Sequence, residues 1–183
     1  MSREPSNIGH RNAQSSLEMT SVSVEETQAF GNRLGRALKP GDVVALYGEL
    51  GSGKTTLIQG LARGLGYDPE RIKSPTFVLM REYSGQTPLV HIDGYRLEGA
   101  PAVAWLDVEL IFSPSKVTVI EWAERFAGVL PDERLEIHLT HVSTNRRRLM
   151  LTANGECGRE VLETLRTEAP LPSTDEPANR PTG

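Results

Sequence analysis

Apolar residues follow a two-residue period near the start of the chain and a helical period directly after it. Residues 17–24, LEMTSVSV, alternate between apolar and polar side chains, which predicts an edge strand. Ser23 and Glu26 then form an S-x-x-E capping box, a signature of a helix N-terminus. Apolar side chains recur at helical spacing after this box, so we predict an amphipathic helix over residues 24–38.

Three short, mainly apolar runs predict the centre of a sheet. They are DVVALY at 42–47, LVHID at 89–93 and VTVIE at 117–121. Runs of this kind are typical of strands that are buried on both faces of a parallel sheet. A helix is predicted from Lys54 to about Leu65, with Gly66 as its C-cap.

The remaining pattern predicts further strands and two helices. TFVLMREY (76–83) has the composition of a strand, and residues 134–140 and 147–153 alternate like a pair of strands at a sheet edge. Residues 100–112 have a weak helical pattern, and a final helix is predicted over 159–166. Strands that alternate with helices imply a layered α/β fold, and the late strand pair indicates a mixed sheet.

Both ends of the chain differ from this pattern. Residues 1–16 are polar without periodicity, and residues 167–183 are rich in Pro, Thr, Asp and Glu. Neither segment has enough apolar surface to offset the cost of ordering it, so we expect two disordered tails. The folded domain is predicted to span residues 17–166.

Composition excludes several classes of protein. The chain has 183 residues and a net charge of −4, so no global basic field draws it to nucleic acid or to acidic lipid. Cys157 is the only cysteine, which excludes an intramolecular disulfide and a CxxC metal site. No apolar run approaches the ~20 residues of a membrane span, and the N-terminus lacks the apolar stretch of a signal peptide. We therefore expect a cytoplasmic protein.

The stretch GELGSGKTT, at 48–56, adds chemistry to the pattern. It meets the phosphate-binding signature G-x-x-x-x-G-K-[ST] with Gly48, Gly53, Lys54 and Thr55, between a predicted strand and a predicted helix. Its backbone N–H groups and the helix N-terminus favour a polyanion. The loop residues expected to contact nucleotide phosphates are Glu49, Leu50, Gly51, Ser52, Gly53, Lys54, Thr55 and Thr56. This context predicts a P-loop NTPase-like three-layer α/β fold with a mixed, mainly parallel sheet.

Two predicted strands end in acids. LVHID ends in Asp93 and VTVIE ends in Glu121, and both strands should direct their acid to the sheet edge that carries the phosphate loop. Such acids are the candidates for a metal site and for the orientation of an attacking water. His91 should share a sheet face with Asp93, and we interpret it as a hydrogen-bonded structural residue.

The type of nucleotide follows only by elimination. The N-K-x-D motif by which GTPases read guanine does not occur, nor does the LSGGQ-like signature of transport ATPases. ATP is therefore the expected nucleotide. A small-molecule kinase with Asp93 as its base, and a scaffold that binds nucleotide without hydrolysis, both stay open.

Four blocks together resemble the TsaE family. They are GELGSGKTT, SPTFVLMREY, HIDGYRL and VIEWAERF-x-x-x-LP, and the likeness runs from about Val24 to Thr140. Members of this family are bacterial ATPases required for threonylcarbamoyl modification of adenosine 37 in tRNA. The resemblance implies that the transferase subunits TsaD and TsaB are partners, and that contact with tRNA is indirect or weak.

The resemblance also implies roles for single residues. Thr55 and Glu121 match the magnesium-site positions, and Asp93 matches an acid that is important for hydrolysis. Thr76 of SPTF matches a position near the γ-phosphate. With Lys54, Asp93 and Thr76 form the implied catalytic set.

The implied nucleotide contacts outside the loop come from three segments. Trp122 matches a tryptophan beside the nucleotide, and Thr27 matches a position near the adenine. Arg146 or Arg147 is implied to play a similar part from the late strand pair. The chain departs from the family at Gly94, where the family usually has Leu, and at Trp105. We expect the glycine to remove an apolar anchor and to loosen the turn after Asp93.

Overall fold

In a computed structural model of the chain, the structure describes residues 15–97 and 107–168. Within these ranges one sheet is formed by seven strands: β1 Ser16–Ser21, β2 Val43–Tyr47, β3 Met80–Tyr83, β4 Leu89–Asp93, β5 Val117–Glu121, β6 Arg134–His141 and β7 Arg147–Asn154. The helices are α1 Val24–Ala37, α2 Lys54–Gly64, α3 Val108–Ile111 and α4 Gly155–Thr167, with short 3-10 helices at Pro69–Arg71 and Ala123–Phe126.

The sheet is mixed around a parallel centre. Its strand order is β1-β7-β6-β2-β5-β4-β3. The neighbours among β6, β2, β5 and β4 pair in parallel, whereas β3, β7 and β1 each pair antiparallel with their neighbours. Because β1 is antiparallel to β7, which is itself antiparallel to β6, β1 points in the direction of the central strands. The predicted mixed, mainly parallel sheet is confirmed.

The start of α1 follows the capping box. The Ser23 hydroxyl accepts from the Glu26 backbone N–H at 3.1 Å. The Glu26 carboxylate accepts from the Val22 N–H at 2.9 Å, one residue earlier than the motif implies. Both bonds satisfy donors at the helix start that have no partner inside the helix.

Two strand predictions need correction. The strand predicted over 76–83 begins only at Met80, because the Val78 and Leu79 N–H groups both donate to the Pro75 carbonyl in a turn. Leu79 there has a positive φ of 67°. The pair β6–β7 is also not the sheet edge, since β1 lies outside β7. The edge position predicted for β1 is confirmed.

The predicted helices are placed correctly but differ in length. Only Val108–Ile111 of the segment predicted over 100–112 is helical within the described residues, and Trp105 lies outside them. Helix α4 begins at Gly155, four residues before the predicted start. The Cys157 N–H in its first turn donates to the Glu133 carboxylate, so a distant segment caps this helix. The predicted tails lie almost wholly outside the described ranges and stay a prediction.

Two hydrophobic clusters lie on opposite faces of the sheet. Val44 and Leu46 of β2 face a cluster that includes side chains of α1, α2 and α4. Val43 and Ala45 face the second cluster, to which Phe126 belongs. The nearly all-apolar sequence of β2 follows from burial on both faces. The three layers are unequal, because all of the long helices described lie on one face. No helix in the described ranges is long and apolar enough to cross a membrane.

Helices α1 and α2 touch through glycines. A Cβ at Gly35 would lie 2.0 Å from the Leu61 carbonyl oxygen, and one at Gly60 would lie 2.1 Å from the Gln28 carbonyl oxygen. Real side chains do not tolerate such distances to backbone atoms. The two backbones therefore approach more closely than any other residue would permit, which holds α2 firmly against its neighbour.

Gly60→Ala tests this contact. Alanine favours a helix by about 1 kcal/mol over glycine, but overpacking costs about 1–3 kcal/mol or more. We expect a net loss in the free energy of unfolding, measured by urea denaturation. Gly128→Ala is the control, because a Cβ there would have no atom within 4 Å. A Gly60 variant as stable as the parent chain would show that the helices can separate without cost.

Candidate functional site

The loop between β2 and α2 curls through glycines. Gly48 has a φ of 143°, and a Cβ there would lie 2.4 Å from the Leu139 carbonyl oxygen. Gly53 is the N-cap of α2 in the left-handed conformation, with a φ of 103°. Only glycine adopts these conformations readily. The sequence therefore forms a narrow loop whose end is the N-terminus of a helix.

A cavity of about 490 Å³ opens beside this loop. Its walls combine the loop, the turn before β3 and the residues at and after the ends of β4 and β5: Leu50, Gly51, Ser52, Gly53, Lys54, Thr55, Thr56, Ser74, Thr76, Phe77, Asp93, Tyr95, Glu121 and Trp122. Most of the predicted site residues thus share one cavity. Glu49 is exposed and contributes its backbone carbonyl to the loop instead.

Lys54 is the buried cation of the cavity. Its Nζ donates to the Gly48 carbonyl at 2.6 Å and to the Glu49 carbonyl at 3.0 Å. Burial lowers the pKa of Lys54, and the carboxylates of Glu121, Glu124 and Asp93 act in the opposite direction. An amine in this position favours additional negative charge in the cavity.

Trp122 forms the wall above this amine. It has a positive φ of 59°, a sparsely populated conformation for a residue other than glycine. The turn that results lies directly after Glu121, and Lys54 Nζ lies 4.1 Å from the centroid of the Trp122 ring. The Tyr95 ring packs beside it at 5.2 Å between centroids. The tryptophan is therefore a cavity residue and not part of the hydrophobic core.

Thr55 and Glu121 meet at the base of the cavity. The Thr55 hydroxyl lies 3.0 and 3.2 Å from the two carboxylate oxygens of Glu121. Because the hydroxyl donates its proton to the carboxylate, its oxygen lone pairs can face a cation. No cluster of three or more His, Cys, Asp or Glu side chains that could hold a metal occurs in the described residues. A hydroxyl and a carboxylate are oxygen ligands of the kind that Mg²⁺ takes, and Mg²⁺ usually completes its shell with phosphate oxygens and water.

Asp93 stands beside Glu121 because their strands are in register. One oxygen of its carboxylate accepts from the Thr76 hydroxyl at 2.5 Å and also from the Ser74 hydroxyl. The other accepts from the Tyr95 backbone N–H at 2.9 Å. The carboxylate is only 3% exposed and is held by three donors. These three bonds fix the orientation of the carboxylate.

Sequence reasoning missed three residues of this cavity. Ser74 bonds to Asp93, and its position two residues before Thr76 in SPTF was the available signal. Phe77 and Tyr95 also line the cavity, and Phe77 is 84% exposed. Nothing in the local pattern distinguishes an exposed Phe77 from a strand residue.

His91 occupies the face predicted for it. The side chain is fully buried, and its Nε2 lies 2.9 Å from a carboxylate oxygen of Glu121. A carboxylate can only accept, so Nε2 donates. The predicted hydrogen-bonded histidine is thus attached to one of the two acids of the site.

Thr27 lies at a smaller neighbouring cavity of about 110 Å³. It is 2% exposed and donates to the Ser23 carbonyl at 3.0 Å. Arg147, and not Arg146, also lines this cavity. Arg146 lies in the turn before β7, where its backbone bonds to Val142 and Ser143. Gly51, Gly53 and Thr56 border both cavities, which places the smaller one just across the loop from the larger.

The turn after Asp93 is not loosened by Gly94. The Gly94 N–H donates to the Glu121 carbonyl at 2.9 Å, and a Cβ at position 94 would lie 2.6 Å from Cε2 of Phe126. Phe126 is 1% exposed and fills the space that a side chain at 94 would need. Phe126, from another segment, therefore supplies the apolar contact that the glycine was expected to remove.

Because Phe126 fills the space beside Gly94, we expect substitutions at these two positions to be energetically coupled. Gly94→Leu should lower the free energy of unfolding by about 1–3 kcal/mol through overpacking. Phe126→Ala should lower it by about 3–5 kcal/mol through the cavity it leaves. In the double variant the leucine can enter that cavity, so its cost should be less than the sum of the two. A double-mutant cycle by urea unfolding measures the difference, and additive costs would show that the residues do not share this space.

The sequence is similar to one protein family and to several of its named members. The model of a protein family described as threonylcarbamoyl adenosine biosynthesis protein TsaE matches residues 21–149. A Bacillus subtilis protein named tRNA threonylcarbamoyladenosine biosynthesis protein TsaE is 39% identical over 150 residues, which are 81% of this chain and 93% of that protein. A Treponema pallidum protein of the same name is 38% identical over 133 residues, with 73% and 98% covered.

A solved structure shows the same fold. The crystal structure of YdiB from Bacillus subtilis matches with a TM-score of 0.70 and 35% sequence identity, covering 82% of this chain and 94% of that chain. This likeness confirms the predicted α/β fold. The sequence relatives confirm the resemblance carried by the four blocks.

Proposed function

Because the chain belongs to the TsaE family of threonylcarbamoyl adenosine biosynthesis proteins, we propose that it binds and hydrolyses ATP with Mg²⁺ in support of threonylcarbamoyl modification of adenosine 37 in tRNA. The observation that carries this proposal is one cavity in which a phosphate loop and a buried lysine face two acids. Relatives named for this biosynthesis supply the biological setting, and the cavity supplies the chemistry.

Phosphate binding follows from the loop and Lys54. The N–H groups at the start of α2 are donors for a polyanion, and the helix dipole adds to their attraction. The Lys54 amine is now bonded to two loop carbonyls, so phosphate oxygens would compete for the same three protons. A bond from an ammonium to a charged phosphate oxygen joins two opposite charges and is stronger than one to a neutral carbonyl. The lysine would therefore turn toward the phosphates.

Thr55 and Glu121 would hold the metal. A bound Mg²⁺ would neutralise phosphate charge. Thr55 offers a hydroxyl oxygen, and Glu121 accepts the proton of that hydroxyl while its own carboxylate can bond to metal-bound water. The two residues come from different elements, so the metal site would join α2 to β5.

Asp93 would orient the attacking water. Its carboxylate lines the cavity and is held by Ser74, Thr76 and the Tyr95 N–H. A carboxylate oriented by three donors has little freedom to rotate, which suits a group that must place a water molecule in line with the γ-phosphate. Thr76 lies close enough to this acid to act with it.

Partners would complete the activity. We propose the transferase subunits TsaD and TsaB, in the cytoplasm, with tRNA contacted indirectly or weakly. Leu50, Phe77 and Val78 are 75%, 84% and 57% exposed, and Leu50 and Phe77 line the cavity. Large apolar side chains exposed together are typical of protein-binding surfaces. Turnover by the chain alone would be slow, and ATP hydrolysis with and without purified TsaD–TsaB tests this.

Lys54→Ala should abolish tight ATP binding, because a charge-assisted contact to two phosphates is lost. Isothermal titration calorimetry measures the affinity. Lys39→Ala is the matched control, since Lys39 is an exposed lysine that bonds to Glu160 near the opposite end of β2. If both variants bind ATP as the parent does, the amine has no role in phosphate binding.

Asp93→Asn and Glu121→Gln should separate chemistry from binding. The Asp93 variant should still bind ATP, because it removes a negative charge near the γ-phosphate. It should lose about 10²-fold or more in hydrolysis, the scale for a positioned base or water-orienting group. The Glu121 variant should lose Mg²⁺-dependent binding as well as turnover. Calorimetry and phosphate release measure the two effects.

The same Asp93 variant discriminates between the candidate functions. In a complemented deletion strain it should fail to restore the tRNA modification, measured by mass spectrometry of digested tRNA. A variant without hydrolysis that restores full modification would favour a nucleotide-dependent scaffold. Phosphorylated products formed by the parent chain from ATP and a panel of nucleosides or sugars would favour a small-molecule kinase. Hydrolysis at the parent rate would remove Asp93 from the catalytic role.

A further inference from the structure

His91 has a buried environment that packing alone does not explain. Its side chain is fully buried in the middle of β4, yet Nδ1 has no hydrogen-bond partner within the described residues. A buried polar atom without a partner costs free energy. Among the described residues the ring forms a single hydrogen bond, from Nε2 to Glu121 at 2.9 Å, and this contact can offset that cost.

The bond joins the two strands that carry the acids. In the parallel register of β4 and β5, His91 is paired with Val119 and Asp93 is paired with Glu121. The imidazole therefore reaches diagonally toward the end of β5 on the sheet face that Asp93 also occupies. It links the position of the Glu121 carboxylate to the strand that ends in Asp93.

Two residues bond to the Glu121 carboxylate, and only one of them lines the cavity. Thr55 holds it from the cavity, where its hydroxyl oxygen would also meet a metal ion. His91 bonds to it from the buried side, because the ring does not line the cavity and is fully buried. The histidine can therefore restrain the carboxylate without touching any ligand.

We propose that His91 is a positioning residue that holds the Glu121 carboxylate in the orientation needed for Mg²⁺-nucleotide binding. This inference rests on the proposed function. Groups that orient a metal-site residue from behind typically change metal affinity by about 10–100-fold when they are removed. Without the imidazole, the Thr55 hydroxyl would be the single remaining donor to this carboxylate in the described part of the chain, and the carboxylate could rotate away from the cavity.

Three substitutions at position 91 test the donor itself. His91→Leu removes every polar atom while it keeps an apolar side chain in the core. His91→Gln places an amide donor near the position of Nε2, whereas His91→Asn places one near Nδ1, too far from Glu121. We expect Leu and Asn to weaken the site and Gln to restore it.

The measurement is calorimetric binding of a non-hydrolysable ATP analogue over a series of Mg²⁺ concentrations and in EDTA. The Leu and Asn variants should need about 10-fold or more Mg²⁺ for half-saturation, with unchanged affinity in EDTA. The Gln variant should stay near the parent chain. Val90→Ala is the matched control, because Val90 is buried on the same strand but in the opposite cluster. It should lower the melting temperature without a change in the Mg²⁺ requirement.

The Mg²⁺ requirements of the variants show whether His91 positions Glu121. An unchanged Mg²⁺ requirement in the Leu and Asn variants, or a Gln variant as defective as they are, would overturn it. If the Leu variant does not fold, the comparison of Gln with Asn decides on the same grounds. A parent chain that shows no Mg²⁺-dependent binding would remove the proposed function and this inference together, whereas normal parent binding with unaffected variants removes the inference alone.

Discussion

The parallel register of β2, β5 and β4 is the constraint on which the candidate site depends. Leu46, near the end of β2, is paired with Glu121, and Glu121 is paired with Asp93. The phosphate loop follows β2 at this same edge. The register therefore brings the loop, with Lys54, next to both acids. All three strands are buried on both faces, and a slip of one residue would turn each acid to the opposite face.

Close packing of α1 on α2 extends this constraint to the loop. Helix α2 carries Lys54 and Thr55 in its first turn, and its position decides whether the Thr55 hydroxyl meets Glu121. Glycines at the contact bring backbone against backbone, which leaves little freedom for the helix to slide. A structural feature far from the phosphates thus supports the geometry of the proposed metal site.

The two acids are held by different groups, and this difference supports different roles. Glu121 accepts from Thr55 and His91, one on the helix and one on the neighbouring strand. Asp93 accepts from Ser74, Thr76 and a backbone N–H, all outside the helix. A carboxylate bonded to the phosphate-loop helix suits a metal site. A carboxylate bonded to the turn before β3 is free of the phosphate-loop helix, which agrees with the proposed orientation of water.

The sequence by itself determined the central strands, α1, α2, the phosphate loop and the acid at the end of each of β4 and β5, because each depends on periodicity or on spacing within a few residues. Tertiary structure decided what depends on residues distant in the chain. Glu133 caps α4, Phe126 fills the space beside Gly94, and His91 finds its partner in Glu121. The apolar run before Met80 forms a turn although its composition is that of a strand, and the Leu79 carbonyl in this turn accepts from the distant Asp93 N–H.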